Sequence, residues 1–186
     1  MNITFIGNCQ TATLCFYFQQ LLGDYGIQWL LYGTEFEQHL GEWIGKVKNK
    51  ILDYDLAFDV IKNSDVIIYQ EIVKEKSQFS NAETLQAHKK DSCILIKIPC
   101  IYLEYPNYDK SIIELQKREI ENKVNIRVSD IFEKYREQCL MLTVFHPNTF
   151  LFLEVVNEIC KILNIDTFSK MKRDMYLQDD NYMKLP

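Results

Sequence analysis

Glycine and proline are scarce in this chain, at six and four of 186 residues. The sequence accordingly contains no Gly- or Pro-rich linker, no low-complexity segment and no internal repeat. The apolar fraction of 47% and the charged fraction of 25% are typical of a globular protein and exclude intrinsic disorder as the main state. We therefore expect residues 1–186 to form a single domain.

Basic residues are also fewer than acidic ones: the chain has 21 Lys and Arg and 26 Asp and Glu, which gives a net charge of −5. An acidic chain of this kind argues against duplex nucleic acid or an anionic membrane as the main partner. No apolar run approaches the roughly 20 residues of a membrane span. The N-terminal apolar run has no basic segment before it and stops at Gly7. We expect a cytoplasmic protein with no integral membrane segment.

The cysteines lack the spacing of a metal or redox motif. None of the six forms a C-x-x-C pair, and no Cys/His set has zinc spacing, so no metal site is expected. Without an export signal, their even number is weak support for disulfides. We interpret five of them as core or surface thiols and Cys9 as the exception. The six are Cys9, Cys15, Cys93, Cys100, Cys139 and Cys160.

Short apolar runs alternate with amphipathic stretches, which predicts an α/β fold with a mostly parallel sheet and helices on both faces, a three-layer sandwich. Strongly apolar, β-branched runs at 66–69 and 93–98 are typical of strands buried on both sides. Ser80 and Ser129 are the expected caps of two helices. The predicted strands cover 3–6, 27–32, 66–69, 93–98 and 140–145, and the predicted helices cover 10–22, 52–61, 81–90, 110–121, 130–138 and 149–163. Residues 35–50 and the last twenty residues stay ambiguous.

Polar and reactive side chains follow four of the predicted strands, in residues 7–10, 70–71, 99–100 and 146–148. In an open parallel sheet, ligands bind outside the carboxyl ends of the strands. If all four strands belong to one parallel sheet, these groups share one edge. A thiol, an imidazole and several amides are then expected to meet there.

Cys9 is the candidate nucleophile because it follows a glycine turn and opens a helix. The N-terminal end of a helix carries partial positive charge and N–H groups, which favour a thiolate. The same N–H groups, with the side chains of Asn8 or Gln70, are suited to an oxyanion, and His146 is suited as the base. Structural interpretations stay open beside these: Cys9 as a small buried hydrophobe, Asn8 as a helix cap, Gln70 as a partner of loop backbone, and His146 in a simple turn.

Four motifs together resemble the WcbI family of polysaccharide-biosynthesis proteins, which is similar in architecture to the SGNH hydrolases but has Cys at the usual position of the nucleophilic Ser. The resemblance covers roughly residues 3 to 163, and the first and last motifs are the specific ones. The motifs are Gly7-Asn8-Cys9-Gln10, Tyr69-Gln70, Ile98-Pro99 with the tyrosine loop that follows it, and His146-Pro147-Asn148.

The resemblance implies that the protein binds coenzyme A or acetyl-CoA and transfers an acetyl group to a sugar hydroxyl of a capsular or surface polysaccharide. Cys9 would be the nucleophile and His146 the general base. Gly7, Asn8 and Gln70 would line the oxyanion region, while Tyr102 and Tyr105 would edge the acceptor or cofactor pocket. Gln10, Glu71 and Asn148 complete the predicted oxyanion and substrate-binding set.

The chain departs from the SGNH pattern at the group that orients the histidine. SGNH enzymes usually carry an Asp a few residues before the His, and residues 142–145 contain no acid. Either Glu71 supplies the carboxylate, or the site works as a Cys–His dyad. Two other functions stay open: an esterase or thioesterase with water as the acceptor, and a non-catalytic module that binds an acyl or nucleotide ligand.

Overall fold

The computed structural model describes residues 1–21, 26–31, 54–70, 81–104 and 108–166. The chain divides between residues 98 and 99 into two compact units. The sequence segments that stayed ambiguous, 35–50 and the last twenty residues, lie outside the described residues. The single-domain organisation stays a prediction.

The first unit is built on a four-stranded, all-parallel sheet in the order β2-β1-β3-β4. This confirms the predicted α/β class with a parallel sheet. The four strands match the predicted runs to within one residue at every end, because each is a short run rich in β-branched and aromatic residues. The expectation that the 93–98 strand is buried on both sides is wrong, since β4 is the edge strand and its Ile94 is 47% exposed. The elements are β1 (Asn2–Gly7), α1 (Cys9–Leu21), β2 (Gly26–Leu31), α2 (Tyr54–Asn63), β3 (Val66–Gln70), α3 (Ala82–His88) and β4 (Ile94–Ile98).

Strand β1 shows why both faces of this sheet are covered. Phe5 packs against Phe18 of α1, with ring centroids 5.5 Å apart. The next residue, Ile6, belongs to a buried cluster with Ile61 of α2 and Leu85 of α3. Successive side chains of a strand point to opposite faces, so α1 covers one face of the sheet and α2 and α3 cover the other. The order β2-β1-β3-β4 with right-handed crossovers requires this arrangement.

The second unit contains three helices and a short antiparallel hairpin among its described residues. Its elements are α4 (Tyr108–Glu121), α5 (Val128–Lys134), β5 (Met141–Thr143), β6 (His146–Pro147) and α6 (Thr149–Ile162). Helix α6 buries most of its apolar side chains, as its sequence predicts. None of the helices in the described part of the chain is long and apolar enough to cross a membrane.

The predicted parallel strand over 140–145 is wrong. Residues Met141–Thr143 form β5, which pairs antiparallel with His146–Pro147 through a turn at 144–145. Leu142 and Phe145 remain 45% and 53% exposed. Three of the four predicted motifs therefore follow strands of the four-stranded sheet, namely β1, β3 and β4, whereas residues 146–147 of the fourth motif form the second strand of the hairpin.

Two predicted helix starts also need correction. Helix α3 is capped by Asn81, whose Oδ1 accepts a hydrogen bond from Thr84 N at 2.8 Å, whereas Ser80 lies outside the described residues. Helix α5 starts two residues earlier than expected, with Arg127 in the cap position. The expected cap, Ser129, instead lies in its first turn, where its backbone N–H and its hydroxyl both donate to the buried carboxylate of Glu119. Glu119 belongs to the neighbouring helix α4, and its carboxylate accepts a backbone N–H in the first turn of α5, as a side-chain cap would.

Candidate functional site

The turn between β1 and α1 is tightly packed at the carboxyl edge of the sheet. Gly7 is buried, and a Cβ at this position would overlap the side-chain hydroxyl of Thr11 and lie 3.2 Å from Gln70 Oε1. A residue without a side chain is therefore needed here so that α1 and the end of β3 can approach each other. Steric crowding therefore explains why the motif has a glycine at position 7.

Three buried polar side chains fix this turn. Thr11 Oγ1 donates to Gln70 Oε1 at 2.7 Å, and Gln70 Nε2 donates to Gln10 Oε1 at 3.0 Å. Thr11, Gln10 and Gln70 are exposed by only 0, 3 and 1%. A buried, bonded network of this kind stabilises one arrangement of its members. It joins the first turn of α1, which Cys9 begins, to the end of β3.

Asn8 caps helix α1. Its Oδ1 accepts a hydrogen bond from Gln10 N at 2.9 Å, and its carbonyl accepts the first helical bond from Ala12 N at 3.1 Å. Cys9 is consequently the first residue of the helix, and its side chain is half-buried. The partial positive charge at the end of the helix favours a thiolate at this position.

The other five cysteines have different surroundings. Cys15, Cys93 and Cys160 are buried, and Cys100 and Cys139 are exposed. Burial raises the pKa of the Cys15 thiol to about 12 and that of Cys160 to about 11. These two thiols are protonated at neutral pH and cannot act as nucleophiles. The interpretation of the five as core or surface thiols is confirmed, and Cys9 alone combines partial exposure with a helix N-terminus.

His146 is positioned by the hairpin of the second unit. Thr143 and His146 are cross-strand partners at the turn, and Thr143 Oγ1 lies 2.6 Å from His146 Nδ1. The same hydroxyl oxygen accepts a hydrogen bond from Phe145 N at 3.4 Å. The imidazole is exposed to solvent while one of its nitrogens is held. The hairpin therefore presents a ring that is fixed in orientation and accessible.

Asn148 closes the hairpin and starts the last helix. Its Oδ1 accepts from Leu151 N at 2.9 Å, which caps α6, and its Nδ2 donates to Cys139 O at 2.6 Å. Its backbone N–H bonds to Leu140 O at 2.9 Å. Asn148 therefore caps α6 and supports the segment that carries His146.

Tyr102 lies beside the same hairpin. Its ring centroid is 4.7 Å from that of Phe145, and Leu103 N bonds to Val144 O at 3.0 Å. The Tyr102 hydroxyl donates to Glu104 Oε1 at 3.0 Å, and that bond is the main reason the pKa of Tyr102 is raised. Tyr102 thus contacts the residue that precedes His146 in the chain, and its role at the edge of a binding pocket stays a prediction.

The structure brings the predicted residues together in two groups. Gly7, Asn8, Gln10 and Gln70 surround the turn at Cys9 in the first unit, and Tyr102 and Asn148 lie near His146 in the second. The pairing of Cys9 with His146 stays a prediction, as do the oxyanion roles of the amides. Glu71 and Tyr105 lie outside the described residues.

Two residues of these groups were missed in the sequence. Thr11 is the buried link between the two sides of the turn, and its position two residues after Cys9 is the only sequence signal for it. Thr143 stands three residues before His146, within residues 142–145, which contain no acid. Its sequence signal is a hydrogen-bonding side chain at that spacing.

Within the described ranges, no three His, Cys, Asp or Glu side chains are grouped so as to hold a metal ion. The chain matches no family model, and no curated protein is similar to it at a significant level. The functional argument therefore rests on the residues and their geometry.

Proposed function

We propose that the protein is an acyltransferase that uses Cys9 as its nucleophile and acetyl-CoA as its acyl donor. The acceptor is a sugar hydroxyl of a capsular or surface polysaccharide. The donor and the acceptor come from the motif resemblance, and the chemistry comes from the residues around Cys9 and His146.

The observation that carries the proposal is the position of Cys9. It is the half-buried first residue of a helix that directly follows the central strand of a parallel sheet. Ligand sites of such sheets lie at this edge, and nucleophiles at this point gain from the helix N-terminus. The Thr11–Gln70–Gln10 network and the Asn8 cap hold the turn, as a catalytic turn requires.

The reaction has two steps. The thiolate of Cys9 attacks the carbonyl carbon of the acetyl thioester, and the bond to the sulfur of coenzyme A breaks, so that coenzyme A leaves as a thiolate, which takes a proton from solvent. The acetyl group is then a thioester of Cys9. A sugar hydroxyl attacks the same carbon, gives its proton to His146, and releases the Cys9 thiolate. Covalent catalysis of this kind replaces one difficult transfer by two easier ones.

His146 acts as the base of the second step. Its ring is exposed on the hairpin, and one nitrogen is held by Thr143 at 2.6 Å. General-base catalysis contributes about 10²- to 10⁴-fold to a rate. His146→Gln should lower acetyl transfer by an amount in this range and leave formation of the Cys9 acetyl thioester measurable.

The test is the mass of the intact protein after incubation with acetyl-CoA in the absence of an acceptor. We expect the mass of one added acetyl group, assigned to Cys9 by peptide mapping and lost in Cys9→Ala. Cys100→Ser is the matched control, because Cys100 is exposed but does not begin a helix. An unmodified protein together with full transfer by Cys9→Ala would refute the covalent route.

A non-catalytic ligand-binding module is the second candidate. The observation that favours it is the partner of His146, which is the hydroxyl of Thr143 and not a carboxylate. Thermal-shift measurements with coenzyme A, acetyl-CoA and nucleotide sugars separate the two. A ligand at a hundred times its dissociation constant stabilises the folded form by about 2.7 kcal/mol. Stabilisation without any acetyl-Cys9 supports the module, and release of acetate without an acceptor supports a thioesterase.

A further inference from the structure

We propose that Thr143 is a positioning residue that replaces the missing acid: its hydroxyl oxygen accepts the proton of His146 Nδ1 and so leaves Nε2 as the basic nitrogen. The inference rests on the proposed function for its catalytic consequence. The hydrogen bond itself is measurable without any turnover.

The first support is the register of the hairpin. Thr143 and His146 are paired across the two strands at the turn. Side chains of directly opposed residues lie on the same face of a hairpin and in contact. The contact of 2.6 Å between Thr143 Oγ1 and His146 Nδ1 follows from this pairing and does not depend on residues elsewhere in the chain.

The second support is the geometry at the threonine oxygen. Thr143 Oγ1 also accepts from Phe145 N at 3.4 Å, a bond between a hydroxyl and the N–H two residues later that is common in turns of this kind. This bond directs the oxygen toward the turn. The oxygen has two acceptor sites, and the second is suited to the N–H of the ring.

The chemical consequence concerns which nitrogen carries the proton. A neutral imidazole has one donor and one acceptor nitrogen, so a hydroxyl that accepts from one nitrogen leaves the other as the acceptor. With Nδ1–H bonded to Thr143, the lone pair of Nε2 is available for the proton of an acceptor hydroxyl. The hydroxyl orients the ring as a carboxylate would, but it places no charge beside the ring.

The experiment measures the tautomer of His146 from the nitrogen-15 chemical shifts of its ring. The chain has three histidines, so the signals of His146 are assigned by their loss in His146→Gln. We expect the Nδ1–H form in the native protein, retention of this form in Thr143→Ser, and an increase of the Nε2–H form in Thr143→Val. Leu142→Val is the matched control, because it alters an exposed side chain of the same hairpin and retains the hydroxyl.

The inference would be overturned if His146 of the native protein is in the Nε2–H form, or if Thr143→Val leaves the tautomer of His146 unchanged. In the transfer reaction, Thr143→Val should lower kcat by about twofold to tenfold with KM unchanged, since a hydrogen bond contributes about 0.5–1.5 kcal/mol. Thr143→Ser should restore the rate. If the native protein transfers no acetyl group but shows the expected tautomers, the proposed function fails and the role of Thr143 as the partner of His146 stands.

Discussion

Replacement of Gly7 by alanine tests the packing of the turn at Cys9. The added Cβ would overlap the hydroxyl of Thr11 and lie 3.2 Å from Gln70 Oε1. Overpacking of a buried position costs about 1–3 kcal/mol. Displacement of Thr11 from Gln70 leaves buried polar atoms unsatisfied, which costs about another 1–3 kcal/mol. Alanine also lowers the conformational entropy of the unfolded chain relative to glycine, which stabilises the folded state by about 0.4–1 kcal/mol. We therefore expect Gly7→Ala to destabilise the first unit by about 3 kcal/mol.

The assay is urea unfolding followed by tryptophan fluorescence. Trp29 lies in strand β2 of the first unit, so the signal reports on this unit. Gly26→Ala is the matched control: its Cβ would lie 2.6 Å from Asn2 Oδ1, the end of an exposed side chain that can move aside. The control should change stability by less than about 0.5 kcal/mol.

A double variant locates the effect. Thr11→Ala removes the hydroxyl that Gly7→Ala would displace, so the two substitutions together should cost less than the sum of their separate effects. Equal stability of Gly7→Ala and Gly26→Ala, or strict additivity with Thr11→Ala, would refute the account of the turn.

Three further outcomes are expected. Gln70→Leu removes the shared partner of two buried side chains and should lower the free energy of unfolding by at least about 2 kcal/mol, measured by the same fluorescence assay. Burial raises the pKa of the Glu119 carboxyl above the ordinary value of 4.5. The protonated carboxyl therefore stabilises the folded protein below pH 4.5, and this stabilisation is lost as the pH rises through the raised pKa. Glu119→Gln should therefore gain in thermal stability relative to the native protein as pH increases from 4.5, and a constant difference would contradict this assignment. Cys15 and Cys160 should resist iodoacetamide in the folded protein and react after unfolding, as peptide mapping would show; rapid native alkylation of either would contradict their burial.

The parallel sheet was predictable because its strands carry strong local signals. Residues 66–69 and 94–98 are β-branched or aliphatic runs between turn residues, and the glycine before Asn8 and Cys9 indicates a turn into a helix. These features depend on near neighbours in the chain. The class of the fold followed from their alternation with helical segments.

The hairpin at His146 was not predictable from the same signals. The apolar run at 140–145 contains Leu142, Val144 and Phe145, whose residue types are typical of a buried strand. In the structure the chain turns at 144–145, and Leu142 and Phe145 stay exposed. The turn is part of a hairpin in which Met141 pairs with Pro147 and Thr143 pairs with His146. In a run of six residues, periodicity does not distinguish a hairpin from a single strand.

The candidate site was predictable in its residues and less so in their contacts. Gly7, Asn8 and Cys9 lie where the strand–turn–helix pattern puts them. The bond from Thr11 to Gln70 joins residues 59 positions apart, and such a contact is set by the neighbouring strands β1 and β3 and not by local sequence. Thr143 is not predicted because the expected partner of the histidine is a carboxylate, whereas its partner in the structure is a hydroxyl.

The most direct test of the account is the rate at which iodoacetamide alkylates Cys9 at neutral pH, measured by peptide mapping in the native protein and in His146→Gln. A nearby imidazole increases the thiolate fraction of a cysteine, so the account predicts slower alkylation of Cys9 in His146→Gln and no change in His88→Gln. The same rate in all three proteins would contradict a shared Cys9–His146 site.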